Sequence, residues 1–150
     1  MTENGFFRVA AVAPEVNVAD CVANTQHMID AAVKLDKENV KVVVFPELSV
    51  TGYTCADLFH NATLLQASDA ALQSLARASE SLNIVMVVGA PVVVDAVVYN
   101  CGVVIGHGRI YAAVPKTYIP NYNEFYEKRW WMSGRGVDLM ASVGQCAHRY

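Results

Sequence analysis

The sequence predicts an α/β protein, and three observations predict it. Short apolar runs recur along the chain, stretches with helical spacing separate the first three of them, and the later runs follow one another across short turns. The resulting order is β-α-β, then α-β, then a meander. This order is typical of a sheet that carries helices, and we expect the helices on one face.

The composition places the chain among folded, water-soluble domains. Hydrophobic residues make up 54% of its 150 residues and charged residues 17%, and the mean hydropathy is +0.27, which excludes a disordered chain. A net charge of −3 argues against nucleic acid or an anionic membrane as partner. No apolar run is long enough to span a bilayer, and the polar N-terminus resembles no signal peptide, so we expect a cytoplasmic protein.

The first half of the chain predicts two strands around a helix. Residues 6–13 form an apolar run that Pro14 ends, which predicts a strand. Asn17 is the expected N-cap of a helix that begins at Val18 and ends in the polar cluster 36–39. Its apolar stripe, with Asn24 off it, consists of Val18, Cys21, Val22, Thr25, Met28, Ile29, Ala32 and Val33. Residues 40–45 predict the next strand, central in the sheet.

The second half predicts one helix and a run of strands. Residues 48–58 indicate loop or short helix, and residues 63–82 a second helix that Asn83 terminates. A third central strand is predicted at 84–90. Further strands are predicted at 92–94, 97–105 and 109–114, with a turn at 106–108. No linker or repeat divides residues 1–150, and from residue 133 the periodicity is lost.

Two charged residues stand where predicted strands end. Glu47 follows a buried strand and Pro46, at the edge where α/β sheets commonly build sites, and its carboxylate could accept a proton. Lys116 follows another strand and Pro115, where an ammonium could face a developing oxyanion. A solvated loop acid and a surface lysine are the alternative interpretations. The aromatic and charged stretch 121–131 indicates a pocket wall or ordinary surface packing.

Several motifs are absent, and others resemble a known family. There is no phosphate-binding glycine loop and no GxSxG turn, which argues against a nucleotide cradle and a serine hydrolase. The segments VVVFPELSVTGY, GYTCADLF, VVGAPVVV, VVYNCG and PKTYIPNYNEFYEKRWW resemble the nitrilase (carbon–nitrogen hydrolase) superfamily. They are most like the N-terminal glutaminase domain of glutamine-dependent NAD+ synthetases. The resemblance covers about 5–131 and leaves 132–150 as an unmatched tail. It implies the first half of a nitrilase-like α-β-β-α sandwich.

The resemblance also implies a catalytic set. Glu47 would be the general base, Lys116 would stabilise the oxyanion, and Glu127, chosen over Glu124, would be a supporting carboxylate. Tyr122 would line a glutamine pocket. Two further substrate-binding residues would be Tyr53 and Phe125.

The implied reaction converts glutamine to glutamate and ammonia through a cysteinyl thioester. The ammonia would pass to a C-terminal synthetase domain, where ATP and Mg²⁺ serve the amidation of deamido-NAD. The glutaminase domain itself would need no cofactor or metal, and the parent enzyme would be a homo-oligomer.

The nucleophile is the departure from the family pattern. The family cysteine follows an apolar strand and precedes an acid, and the setting of Cys146 within 141–148 does not match, so the nucleophile is left unassigned. We therefore expect a partial domain that is inactive alone, with an uncovered apolar sheet that promotes association. The alternatives are a stand-alone amidase or nitrilase of the same superfamily and a non-catalytic assembly module.

Overall fold

The computed structural model describes residues 5–137, and it confirms the α/β class. Five strands form one mixed sheet in the order β1-β2-β3-β4-β5, with two α-helices. The elements are β1 (Arg8–Ala11), α1 (Cys21–Lys37), β2 (Val40–Val44), α2 (Ala62–Ala78), β3 (Val85–Val94), β4 (Val97–Gly106) and β5 (Arg109–Pro115). Short 3-10 helices lie at Tyr53–His60, Ser79–Ser81 and Glu127–Arg129. No helix within 5–137 is both long and apolar enough to cross a membrane.

Strand direction is the feature of the sheet that positions the candidate site. β1, β2 and β3 are parallel, whereas β4 is antiparallel to β3 and β5 is antiparallel to β4. Two reversals make β5 run in the same direction as β2. The residues that follow β2 and β5 therefore emerge at the same edge of the sheet, although about seventy residues separate them along the chain.

The start of α1 differs from the prediction. The helix begins at Cys21, and its N-cap is Asp20, whose carboxylate accepts the backbone N–H of Ala23 at 2.9 Å. The predicted start at Val18 with Asn17 as cap is wrong because Ala19 has a φ of 62°, which is left-handed and interrupts any helix there. The Asn17 backbone N–H instead donates to the side chain of Asn24 at 2.7 Å.

The predicted stripe of α1 is corrected at several positions. Asn24 was placed off it but is buried, since its amide donates to backbone oxygens of Asn17 and Val50 at 2.8 and 3.0 Å. Val18 and Val22 were placed on it but are 55% and 81% exposed. A polar side chain with its hydrogen bonds satisfied is therefore buried where spacing alone predicted an exposed one.

The other element boundaries shift by a few residues. The second helix is one residue longer at its start, where Asn61 caps it, and it ends at Ala78 because a 3-10 turn at Ser79–Ser81 replaces its predicted last turn. The two runs predicted at 84–90 and 92–94 form the single strand β3, which contains Pro91. The proline is tolerated because β2 pairs with β3 only as far as Val87, so Pro91 lies on a locally free edge. The predicted 106–108 turn is confirmed.

Both helices pack against each other and against one face of the sheet. The core between them contains Met28, Val43, Leu75, Met86 and Ile105. On the opposite face no helix within 5–137 covers the strands, and Val9, Val44 and Val114 are 60%, 45% and 61% exposed. The uncovered apolar face that the sequence predicted is present in this part of the chain.

Candidate active site

Glu47 and Lys116 meet at the edge of the sheet where β2 and β5 end. The Lys116 Nζ lies 2.9 Å from Glu47 Oε1. The Lys116 side chain is 28% exposed and the Glu47 side chain 43% exposed, so the pair is partly shielded from water. The predicted convergence of an acid and an ammonium is therefore present, and their catalytic roles stay predictions.

A close backbone crossing holds Glu47 in place. The loop after β2 passes over β3 at Gly89, where the Val50 N–H donates to the Gly89 carbonyl at 3.0 Å and the Gly89 N–H donates to Ser49 Oγ at 3.1 Å. A Cβ at Gly89 would lie 2.2 Å from the backbone nitrogen of Leu48. Only glycine lets the loop approach this closely, so Gly89 determines where the Glu47 side chain begins.

Lys116 is fixed through its backbone as well as its ammonium. Its N–H donates to the Asn100 carbonyl at 2.8 Å, and its carbonyl accepts the Gly134 N–H at 2.9 Å. Its Nζ donates to Glu127 Oε2 at 2.9 Å in addition to Glu47. Burial acts to lower the pKa of Lys116, but the hydrogen bonds to the two glutamates outweigh it, so the pKa is raised and the side chain stays an ammonium.

Glu127 is the buried member of the cluster. Its side chain is 3% exposed, and its Oε1 accepts the Tyr53 hydroxyl at 2.6 Å while its Oε2 accepts the lysine. Burial, followed by this hydrogen bond, raises the pKa of Tyr53, so the phenol remains a donor. Glu124 is exposed, and Glu127 is the one of the two candidate carboxylates that contacts Lys116.

The three predicted substrate-binding residues lie in different places. Phe125 and Tyr53 line a cavity of about 250 Å³ together with Glu127 and Trp130. Tyr122 is 64% exposed and lines no part of that cavity, but its ring packs on Phe125 with centroids 6.0 Å apart. Tyr53 and Phe125 therefore lie beside the charged cluster, and Tyr122 reaches it through Phe125.

Sequence reasoning missed two groups of residues. Asn100, 3% exposed in β4, donates its side-chain amide to Glu47 Oε1 at 2.6 Å. The sequence did contain a signal: Asn100 is the single amide side chain in the apolar run 97–105, and a buried amide needs a hydrogen-bond partner. The second group is Asp57, which accepts two bonds from Arg129 at 2.6 and 2.8 Å and one from Trp130 Nε1 at 3.0 Å.

The Asp57 group connects the two 3-10 helices that carry Tyr53 and Glu127. Hydrogen bonds from Arg129 and then Trp130 hold the pKa of Asp57 well below its usual range. The carboxylate is therefore charged at every ordinary pH. The helix Tyr53–His60 and the helix Glu127–Arg129 are joined at one end by the Tyr53–Glu127 bond and at the other by Asp57.

A cavity with a volume of about 410 Å³ lies beside Glu47 and Lys116. Glu47, Asn100 and Lys116 supply its charged and amide groups, and the rest of its lining consists of Phe45, Pro46, Val87, Val88, Gly89, Cys101, Gly102, Val114 and Pro115. An ammonium and a carboxylate at the rim of an apolar cavity suit a small ligand with a polarised carbonyl group.

Three cysteines lie within residues 5–137. Cys21, Cys55 and Cys101 are all buried. Burial raises the pKa of Cys21 to about 11 and that of Cys101 to about 12, and it also raises the pKa of Cys55. Cys101 follows Asn100 in β4, and it is one of the residues that line the cavity beside Glu47 and Lys116. Cys146 lies outside the described residues.

The comparisons with known proteins identify one family. The sequence model of the carbon-nitrogen hydrolase family matches residues 8–147. The division of the chain into a resembling part, about 5–131, and a tail, 132–150, stays a prediction. The chain is 39% identical over 142 residues to the glutamine-dependent NAD(+) synthetase of Mycobacterium tuberculosis, covering 95% of this chain and 21% of that protein. The chain thus spans about a fifth of the length of the curated relatives that it matches.

Solved structures give the same picture. The glutamine-dependent NAD+ synthetase from Acinetobacter baumannii superposes with a TM-score of 0.79 at 32% identity, over 85% of this chain and 24% of that one. An amidase from Nesterenkonia sp. superposes with a TM-score of 0.73 at 21% identity, over 85% of this chain and 48% of that one, which is a likeness of fold. The family match over nearly the whole sequence and the shared architecture lead to one assignment: this chain belongs to the carbon-nitrogen hydrolase family.

Proposed function

We propose that the chain is the N-terminal part of the glutamine amidohydrolase region of a glutamine-dependent NAD+ synthetase, corresponding to the first half of an α-β-β-α sandwich. The observation that carries the proposal is the Lys116 ammonium 2.9 Å from both Glu47 and Glu127 beside a cavity of about 410 Å³. Relatives at 39% identity that bear this name support the choice of glutamine as substrate.

In the proposed reaction Glu47 moves the protons. Its carboxylate takes the proton of a cysteine thiol supplied from outside residues 5–137, and the sulfur attacks the carboxamide carbon of glutamine. The carbonyl electron pair moves to oxygen, where the Lys116 ammonium stabilises the negative charge. Collapse of this intermediate expels ammonia, which takes the proton from Glu47. Water deprotonated by Glu47 then cleaves the thioester, giving glutamate and the free thiol.

The other residues of the cluster would hold the lysine and the substrate. Glu127, with both oxygens engaged, keeps Lys116 charged and pointed at the cavity. Tyr53 and Phe125, with Tyr122 against Phe125, provide an aromatic surface on which the substrate side chain could pack.

The parent protein would contain further parts of the pathway. The glutaminase region would use no cofactor, and the ammonia would pass to a C-terminal synthetase region where ATP and Mg²⁺ serve the amidation of deamido-NAD. The parent is proposed to be a cytoplasmic homo-oligomer.

The test measures glutamate release by the protein expressed from its complete reading frame. We expect Glu47→Gln to lower the rate by about 10²–10⁴-fold, because the amide cannot accept the thiol proton. Glu80→Gln is the matched control, since Glu80 is exposed beside Gly108 at the opposite end of the sheet. An unchanged rate in Glu47→Gln would remove Glu47 from the chemistry.

Two alternatives are outcomes of the same assay. Hydrolysis of short aliphatic amides without hydrolysis of glutamine would favour a stand-alone amidase, as the fold likeness to an amidase allows. Absence of both activities, with stable association through the exposed Val44 and Val114 face, would favour an assembly module.

A further inference from the structure

We propose that Asn100 is a positioning residue that sets the geometry of both Glu47 and Lys116, an inference that rests on the proposed function. Its Nδ2 donates to Glu47 Oε1 at 2.6 Å, and its backbone carbonyl accepts the Lys116 N–H at 2.8 Å. One residue of a central strand therefore contacts the acid through its side chain and the lysine through its backbone.

The arrangement of donors distinguishes the two oxygens of Glu47. Asn100 Nδ2 and Lys116 Nζ both donate to Oε1, and Oε2 has no hydrogen-bond partner among residues 5–137. The Glu47 side chain is 43% exposed at the cavity, whereas Asn100 is 3% exposed. Two donors on one oxygen restrict rotation of the carboxylate and leave Oε2 as the atom that would take the proton.

The chemistry of an amide suits this position. A second cation beside Glu47 would compete with Lys116 and weaken the carboxylate as a base, whereas a neutral donor orients the carboxylate without adding charge. A buried amide without a partner is costly, so a polar residue in the apolar strand β4 depends on the bond to Glu47. Because β4 is paired on both sides, its backbone provides a rigid base for the amide.

The test uses Asn100→Ala and Asn100→Asp in the protein expressed from its complete reading frame. Alanine removes the donor, and aspartate keeps the shape but places a carboxylate against Glu47. We expect kcat for glutamine hydrolysis to fall about 10–100-fold in both variants, with KM changed less than about threefold. Ser79→Ala is the matched control, because Ser79 is also buried and makes two hydrogen bonds, at the far end of the sheet.

Two readouts separate positioning from a purely structural role. Ser79→Ala should lower the melting temperature and leave kcat unchanged. The proposal would be overturned if both Asn100 variants kept the wild-type kcat. It would also be overturned if Ser79→Ala lost as much kcat as the Asn100 variants at the same melting temperature.

A crystal structure of Asn100→Ala gives a readout that does not depend on activity. We expect the Glu47 carboxylate to rotate and lose its contact with Lys116. If the wild type hydrolyses no glutamine, the proposed function fails, and this structure still decides the inference: a rotated Glu47 supports it, and an unmoved Glu47 overturns it.

Discussion

Replacing Gly89 by alanine tests how the backbone holds Glu47. The new methyl carbon would lie 2.2 Å from the Leu48 nitrogen, 2.7 Å from the Pro46 oxygen and 2.8 Å from the Glu47 carbonyl carbon. All three neighbours are backbone atoms of the loop after β2, so no side-chain rotation relieves the contacts. The loop must retreat from β3, by about 1 Å if ordinary van der Waals spacing is restored.

The expected loss of stability follows from the strain and from the hydrogen bonds that break when the loop moves away from β3. Overpacking of this kind costs about 1–3 kcal/mol, and the two hydrogen bonds between Gly89 and the loop contribute about 0.5–1.5 kcal/mol each. We therefore expect Gly89→Ala to lower the free energy of unfolding by about 2–6 kcal/mol. In the complete protein, a Glu47 displaced by about 1 Å should also lower turnover by about two orders of magnitude.

The assay is urea denaturation with Gly102→Ala as the matched control. Gly102 lies in the neighbouring strand β4, and a Cβ there meets nothing within 4 Å. That substitution should change stability by less than about 1 kcal/mol. Equal stability of the two variants would refute the reasoning that a close backbone crossing at Gly89 places Glu47.

Three further predictions concern titratable groups. Glu127→Gln should bring the pKa of Tyr53 back toward its ordinary value, because one cause of its rise is lost, and a tyrosinate absorbance titration against Tyr53→Phe measures the change. The pKa of Lys116 is raised above 10.5, so the stability it contributes is present below that pH and is lost as pH rises through the folded pKa. Urea denaturation of wild type and Lys116→Met should therefore differ at neutral pH and converge under strongly alkaline conditions. Cys21 and Cys101 should resist a thiol reagent at neutral pH until the protein unfolds, and rapid labelling of either in the native state would contradict their burial.

The candidate acid and lysine could be predicted because their signals are local. Each stands directly after an apolar strand and a proline, and strands that run the same way deliver such residues to one edge. The Tyr53–Glu127 bond joins residues 74 positions apart, and motif likeness, not spacing, brought both into the predicted site. Periodicity carries no information about contacts at that separation.

Other features depend on backbone conformations and pairings that a residue pattern does not reveal. Asn17 has the chemistry of an N-cap, but the left-handed Ala19 moves the start of α1 to Cys21 and transfers the role to Asp20. Asn100 was missed for a related reason. Its amide has a partner only because the loop that carries Glu47 crosses β3 and reaches β4.

The cluster assigns different physical environments to its two acids, although both contact the same ammonium. Glu127 is buried, and each of its oxygens already accepts a hydrogen bond, one from Tyr53 and the other from Lys116. Glu47 is 43% exposed and receives both of its donors on Oε1, which leaves Oε2 without a hydrogen-bond partner among residues 5–137. Since a base must reach the proton that it removes, the cavity favours Glu47 for proton transfer and Glu127 for holding the lysine. This difference between the two carboxylates supports the proposed division of roles, which the Glu47→Gln assay tests.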